Sequence, residues 1–313
     1  MRLAESSMGK DELPMVTIVT PTYNRADYLS ESIDSVLSQN YPNIEYIVID
    51  DGSTDETREV LKRYDERVYW ESQENIGQAA TLNKGWSMAS GDIIGYLSSD
   101  DLLKPEAITE LVRCMLGNTE AILVYPDFDL IDASGEFIRN FETPDYDYRN
   151  MILNLVCYPG PGALFWKKYF DVTGGWNQDL QQVPDFEYWL RLSQHGDFKR
   201  MPKILSSSRV HEDSQSFKVV TFERAMEPVS ALVNLLDAGM LRLEMPDHSY
   251  KALASAHLLS FRLLLRSRFY VASIKNLCNA LSLRPGLIVN GTFWRIVAAA
   301  ALSRTYYRKK YST

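Results

Sequence analysis

The chain has 313 residues, 45% of them hydrophobic, and a formal net charge of −8. That is enough to bury one sizeable core with a smaller second unit, and too ordinary a composition for a disordered or low-complexity protein. Three widely spaced cysteines, Cys114, Cys157 and Cys278, argue against a disulfide framework or a zinc site and for reduced thiols in the cytoplasm. No uncharged run reaches membrane-spanning length, and Met1 to Pro14 is polar without the apolar stretch of a signal peptide, so residues 1–14 are expected to be a disordered N-terminus.

Met15 to Thr20 alternates β-branched and apolar residues, which predicts a first strand, broken by Pro21-Thr22-Tyr23-Asn24-Arg25. Tyr28, Leu29, Ile33, Val36 and Leu37 have helical spacing, and the pattern stops at Asn40-Tyr41-Pro42. Ile44 to Asp50 is a second strand that ends in Asp50-Asp51-Gly52-Ser53-Thr54-Asp55. Val68 to Glu71 is a short third strand, followed by Asn75-Ile76-Gly77 and a helix through Leu82, Trp86 and Met88. Ile93 to Leu97 is the fourth strand and runs into Ser98-Ser99-Asp100-Asp101, with a helix pattern beginning near Pro105.

Strands alternating with helices predict a mostly parallel sheet. The strand ends at Thr20, Asp50 and Leu97 then share one edge, where ligands sit in open α/β sheets. Adjacent carboxylates at Asp100 and Asp101 repel unless a cation lies between them, and a hard divalent ion carrying a phosphate suits the pair. The alternative is an acidic turn capping the next helix; convergence of three strand ends favours the site. The first turn lacks the glycines of a dinucleotide fold, and no Walker loop occurs.

Further on, Leu111, Val112, Met115 and Leu116 mark a helix, Ile122 to Tyr125 a strand, and Phe128 to Ile131 with Phe137 to Arg139 a hairpin. Thr143 to Arg149 reads as a surface loop. Ile204 to Val210 is a last strand, and from Val219 the pattern is helical only. This divides the chain into 15–218 and a helical, basic 219–313. No Asp or Glu follows Asp247, whereas Lys251, Arg262, Arg266, Arg268, Lys275, Arg284, Arg295, Arg304, Arg308, Lys309 and Lys310 do. Interleaved with Phe269-Tyr270, Phe293-Trp294 and Tyr306-Tyr307, these charges suit an anionic membrane surface as partner for 251–313; a helical cap with a solvated basic face is the other reading. No nucleic-acid recognition motif accompanies the charge.

Thr20-Pro21-Thr22-Tyr23-Asn24-Arg25, Val48-Ile49-Asp50-Asp51-Gly52-Ser53-Thr54-Asp55, Glu74-Asn75-Ile76-Gly77 with Asn83-Lys84-Gly85, and Leu97-Ser98-Ser99-Asp100-Asp101 together resemble the successive motifs of family 2 glycosyltransferases across about 200 residues. The resemblance implies a GT-A fold, an α/β architecture with a mixed, mostly parallel sheet flanked by helices, here with a helical C-terminal appendage. It also implies a nucleotide-sugar donor, usually UDP-linked, a divalent Mn²⁺ or Mg²⁺, a glycan or lipid-linked acceptor, inversion at the anomeric carbon and a role in surface polysaccharide synthesis.

On that resemblance Thr20, Pro21, Thr22, Tyr23, Asn24, Arg25, Asp50, Asp51, Asn75, Gly77, Asn83, Ser99 and Asp100 bind the nucleotide. Tyr23 would stack on the base, and Asp51 would accept from uracil N3–H. Asp100, Asp101 and His211 are the implied metal ligands. Ser98 stands where the family commonly has a first Asp. Pro159 to Phe165 resembles the small-residue segment beneath the acceptor, and Asp185 matches the catalytic base, although Pro184 replaces the usual preceding Glu. Asp185 also reads as a helix N-cap, with Glu187 as the reserve base. Arg209-Val210-His211-Glu212-Asp213-Ser214-Gln215-Ser216 is similar to the family's element that closes over the pyrophosphate, a mobile lid at 211–216. The implied location is cytoplasmic, peripheral at the inner face of the plasma membrane. Two other readings stay open: a non-catalytic nucleotide-sugar binder or membrane scaffold, and a nucleotidyltransferase with no role for Asp185.

Overall fold

A run of β-branched residues closed on both faces can only be central, and β1 (Val16–Thr22) is buried at every one of its positions. It pairs in parallel with β2 (Ile44–Asp50) on one side and β4 (Ile93–Tyr96) on the other, and β2 pairs in parallel with the edge strand β3 (Tyr69–Ser72). The computed structural model describes residues 13–211, 214, 218–242, 246–289 and 293–294. The expected disordered start lies outside these residues except for Leu13 and Pro14. So do Glu212, Asp213, Gln215 and Ser216 of the expected lid, and Arg295 to Lys310 of the basic tail.

Among the described residues the sheet has nine strands, ordered β3-β2-β1-β4-β8-β6-β9-β5 with β7 on β6. Its first half is parallel. Its second half is mixed: β8 (Leu164–Trp166) is antiparallel to β4 and to β6 (Ala121–Ile131), while β9 (Asp197–Arg209) runs parallel to β6. β5 (Leu102–Leu103) is antiparallel to β9, and β7 (Phe137–Phe141) to β6. The flanking helices are α1 (Ala26–Leu37), α2 (Thr57–Lys62), α3 (Gln78–Met88), α4 (Ala107–Gly117) and the short α6 (Lys167–Thr173).

One sequence expectation is corrected, and two strands appear that the sequence did not announce. Ile122–Tyr125 and Phe128–Ile131 are one strand, because the proline between them, Pro126, sits beside register shifts on either side of Asp127 that absorb its missing N–H. Asp127 then locks the irregular stretch, accepting Arg200 Nε at 2.9 Å and Nη2 at 2.7 Å, and Thr143 N at 2.9 Å and Oγ1 at 2.6 Å. The two-residue β5 is too short to show a period, so Leu102-Leu103 by itself gives no strand signal. Finally, part of Pro159–Phe165 is itself strand. Gly95 on β4 lets β8 come close: a Cβ there would lie 2.7 Å from Leu164 Cδ2 and 2.8 Å from the Ala163 carbonyl.

The first unit holds 13–146, 158–178 and 195–210; the second holds 147–157, 179–194 and the described residues from 211 onward. Compact units therefore do not divide at a single point near residue 219, since the chain enters the helical unit three times. That unit contains α5 (Tyr148–Asn154), α7 (Pro184–Leu192), α8 (Phe222–Asp237), α9 (Pro246–Arg266) and α10 (Tyr270–Leu283).

In the first unit Trp86 is fully buried, donates to the Gly95 carbonyl at 3.1 Å and meets Tyr96, Phe165, Phe170 and Trp176 edge-on. It joins α3 to β4, β8 and α6. Trp86→Ala is expected to lower the unfolding free energy by about 3–5 kcal/mol, read as an earlier midpoint in urea denaturation.

Candidate functional site

Pairing in register brings three strand ends together: Thr22 lies beside Asp50, Asp50 beside Ser72, and Val19 beside Tyr96. The Asp51 amide donates to Thr22 O at 2.8 Å and the Leu97 amide to Val19 O at 3.0 Å, so the pairing runs right to the loops.

The first loop is tied to the second. Asn24 takes the left-handed conformation, φ 52°, which asparagine tolerates better than most side chains. Its amide donates to Ser53 Oγ and its Oδ1 accepts from Thr54 N, both at 2.8 Å. Arg25 donates its backbone N–H to Thr57 Oγ1 at 3.0 Å, and its Nε lies 3.7 Å from Asp100 Oδ2. Arg25 thus spans from the β1 loop to the acidic end of β4. Tyr23 is 46% exposed beside this loop, and the buried Thr22 Oγ1 has no hydrogen-bond partner among the described residues.

Asp50 is fully buried. It accepts Ser53 N at 3.0 Å, Arg58 Nε at 2.9 Å and Ser72 Oγ at 2.5 Å. Burial pushes its pKa up, but the hydrogen bonds from Ser53, Ser72 and Arg58 outweigh it and hold the carboxyl below its ordinary range. Its folded pKa being depressed, the stability it contributes is present above the ordinary carboxylate range and is lost as pH falls through the lowered value. Asp51 Oδ1 accepts from Gln73 Nε2 at 3.0 Å and from Ile76 N at 2.9 Å, and Oδ2 from Gly77 N at 2.9 Å. Of roughly four acceptor sites on a carboxylate, one on Oδ2 is left for a ligand. Gly52, at φ 79°, permits this loop closure, since a Cβ there would stand 2.8 Å from Asn75 N.

The β4 end is held by Arg209, whose side chain is fully buried. Its backbone N–H donates to Asp101 Oδ1 at 2.9 Å, its Nε to the Asp100 carbonyl at 3.0 Å and its Nη2 to Glu31 Oε2 at 2.6 Å, with the guanidinium 4.9 Å over Tyr28. Burial and the neighbouring Asp100 charge push Asp101 well above the ordinary carboxylate range, against the Arg209 and Ser208 hydrogen bonds. Asp101, expected among the metal ligands, therefore spends one oxygen on β9, and Asp100 is the carboxylate placed at the loop edge. Among the described residues no group of three His, Cys, Asp or Glu side chains converges as a metal cage. A single carboxylate completed by two phosphate oxygens and water suits Mg²⁺ or Mn²⁺, so Asp100 fits a metal that arrives with a diphosphate.

Several other expected residues have structural partners or positions of their own. Thr20 is in the core, its Oγ1 3.1 Å from Tyr46 Oη, and Pro21 is buried behind it. Asn83, expected at the nucleotide, instead clamps Trp176: its Oδ1 accepts Trp176 N at 2.7 Å and its Nδ2 donates to Trp176 O at 2.8 Å. Asn75 is exposed, Gly77 opens α3 at φ 90°, and Ser99 is buried in the β4 turn. Glu31, Arg58, Ser72 and Gln73 belong to no motif; Arg58 reaches Asp50 from the next helix, eight residues on, and the other three come in only when distant segments pair.

Asp185 and His211 belong to the second unit. The His211 amide donates to Ser214 Oγ at 3.0 Å. Asp185 is not the N-cap, which is Val183; with Pro184 leading the helix, Asp185 stands in the first turn of α7. Burial raises its pKa, opposed by the backbone N–H groups of Phe186 and of Asp185 itself. Its charge, after desolvation, also pushes the Cys157 thiol well above its usual value. Glu187 is buried in a bidentate pair with Arg191, at 2.7 and 2.8 Å, and is thereby committed to the helix.

Residues 17–174 match the sequence profile described as glycosyl transferase family 2. The chain belongs to this family. An uncharacterized glycosyltransferase of Rickettsia felis is 32% identical over 244 residues, 74% of this chain and 40% of that protein. A hyaluronan synthase of Pasteurella multocida is 29% identical over 218 residues, 68% of this chain and 22% of that protein. The chain thus corresponds to less than half of either relative.

Among solved structures, S. aureus TarS 1-349 in complex with UDP-GlcNAc is similar with a TM-score of 0.61 and 16% identity, over 87% of this chain and 91% of that one. The mannosyltransferase PcManGT of Pyrobaculum calidifontis, in complex with GDP-Man and Mn²⁺, has a TM-score of 0.57 and 18% identity, over 98% and 86%. At such identities the likeness establishes the shared fold, and the expected GT-A fold is the one found.

Asn83→Ala removes two main-chain bonds from this family 2 chain. It is expected to destabilise by about 1–3 kcal/mol in thermal unfolding while leaving UDP affinity, measured by titration calorimetry, unchanged.

Proposed function

We propose that the chain transfers a sugar, with inversion, from a nucleotide-diphosphate donor, most simply a UDP-sugar, to a glycan or lipid-linked acceptor hydroxyl in surface polysaccharide synthesis. The observation that carries the reading is the meeting of the β1, β2 and β4 ends, with an exposed Tyr23, an unsatisfied Thr22 hydroxyl and Asp100 at one edge. Family membership and the donors named for the similar structures, UDP-GlcNAc and GDP-Man, support it.

Tyr23 stacks on the base, Thr22 and the open acceptor site of Asp51 hydrogen-bond the nucleoside, and Arg25 turns from Asp100 to the diphosphate when donor binds. A divalent ion held by Asp100 and the diphosphate oxygens would neutralise charge on the leaving nucleotide. Asp185 takes the acceptor hydroxyl's proton as that oxygen bonds to the anomeric carbon and the bond to the nucleoside diphosphate breaks. Its raised pKa makes its ionised form a stronger base than an ordinary aspartate.

Calorimetric titration of UDP, GDP and dTDP with and without Mn²⁺ is expected to give metal-dependent binding of UDP. Binding of no nucleotide in either condition overturns the reading. Hydrolysis of UDP-GlcNAc, scored as released UDP, is expected to fall about 100- to 10,000-fold in Asp185→Asn with UDP affinity retained. The base must be ionised, so the rate rises with pH through the Asp185 pKa. The acid limb of the wild-type profile is therefore expected above the ordinary carboxylate range.

The reading extends to a peripheral contact with an anionic bilayer on the cytoplasmic side. No described helix is long and apolar enough to cross a membrane. On α10, however, Val271 is 85% and Ile274 61% exposed, and with the exposed Cys278 they fall at i, i+3 and i+7 of one face, near exposed Arg268 and Lys275. Co-sedimentation with phosphatidylglycerol vesicles is expected, weakened severalfold by Ile274→Asp and by high salt. Equal sedimentation of the variant removes α10 from the contact.

A further inference from the structure

The first turn of a helix exposes N–H groups that nothing within the helix can satisfy, and a helix led by Val-Pro cannot cap itself with a side chain. The cap residue of α7, Val183, makes no side-chain cap bond. The amides of the turn that leads into the helix are instead met from another helix. Glu227, buried on α8, accepts Gln181 N at 3.0 Å on Oε1 and at 2.9 Å on Oε2, Gln182 N at 2.5 Å and Val183 N at 3.3 Å on Oε2. Three consecutive amides thus converge on one carboxylate, immediately before the turn that carries Asp185.

The grip has two further points. Arg224, one turn before Glu227, donates Nη2 to the Gln181 carbonyl at 3.2 Å. Ala231, one turn after it, packs with Leu180 and Val183 in a small apolar cluster that also takes in Phe186 and Leu259. Positions 224, 227 and 231 form one stripe of α8, and all three hold 180–183. A buried carboxylate is costly to desolvate, and here its compensation comes from main-chain donors of a single turn, so that turn has one seat.

We propose that Glu227 is the positioning residue for Asp185: it fixes the 181–183 turn and so the place and environment of the Asp185 carboxylate, without touching substrate. The inference rests on Asp185 as the base. It acts through the main chain, so it predicts loss of turnover without loss of nucleotide affinity. It also predicts a changed field at Cys157, whose thiol senses the Asp185 charge.

The test compares Glu227→Ala, Glu227→Gln and Asp185→Asn in the full chain. UDP binding is read by calorimetry, UDP-GlcNAc hydrolysis by kcat and KM, and Cys157 alkylation by iodoacetamide as a function of pH, with the peptide resolved by mass spectrometry. Glu227→Ala is expected to reduce kcat at least tenfold with KM and UDP affinity within twofold, and Glu227→Gln, which keeps one acceptor oxygen, to fall between it and wild type. Asp185→Asn is expected to shift the Cys157 alkylation profile to lower pH, and Glu227→Ala to shift it part of the way, a readout that requires no turnover. Wild-type kcat and an unmoved Cys157 profile in Glu227→Ala, with Asp185→Asn inactive, overturn the inference alone. Parallel loss of UDP affinity in Glu227→Ala makes the role one of general structure and overturns it too. Full turnover in Asp185→Asn removes the base reading and the inference with it.

Discussion

Carboxylates gathered at the ends of neighbouring parallel strands repel one another, and that repulsion is the constraint on which the first unit's architecture turns. Asp50 and Asp51 end β2, and Asp100 and Asp101 end β4, the two strands that flank β1. The structure compensates each differently. Asp50 is sealed by Arg58 and two serines, Asp51 by the amides of the 76–77 turn and by Gln73, Asp101 by the β9 main chain, and Asp100 by Arg25 at 3.7 Å. The Arg25 to Asp100 contact is the longest of these.

This division explains why so much of the motif set is scaffolding. A loop that must present a few groups to a ligand needs more groups to hold its shape, and the holding groups are polar because loop backbone leaves donors to satisfy. Asn24 joins two loops, Asp51 shapes a third, and Asn83 pins the Gly175-Trp176 turn. Arg209 supplies the longest reach, joining β9 to Asp100, Asp101, Glu31 and the Tyr28 ring from a fully buried position. Of the expected site residues, Tyr23 stays well exposed and Asp100 keeps a partly exposed carboxylate.

The second unit sets up a different electrostatic situation. Glu187 and Glu227 are both buried and both satisfied, one by Arg191 and the other by three amides, so neither can act as a free base. Among the described residues, desolvation of Asp185 is opposed by its local backbone donors, and its proton affinity rises nonetheless. Three carboxylates in one small region are given separate tasks by their partners rather than by their chemistry.

Much was legible from residue order alone. The β1 to β4 strands, the helices between them and the acidic strand ends follow from local periodicity, which depends only on neighbours in sequence. Four motifs in register also named the family. What tertiary structure decided was which of those residues face solvent and which are spent on the protein itself. Thr20 went to the core beside Tyr46, Asn83 to Trp176, and one oxygen of Asp101 to β9, because their partners lie 26, 93 and 108 residues away. Pro126 was absorbed by register shifts that only pairing with β9 reveals, and β5 was too short to carry any pattern. Sequence determines the chemical inventory and its local conformation; hydrogen-bond partners separated by long stretches of chain are fixed only when the sheet closes, and they determine which carboxylate remains for chemistry.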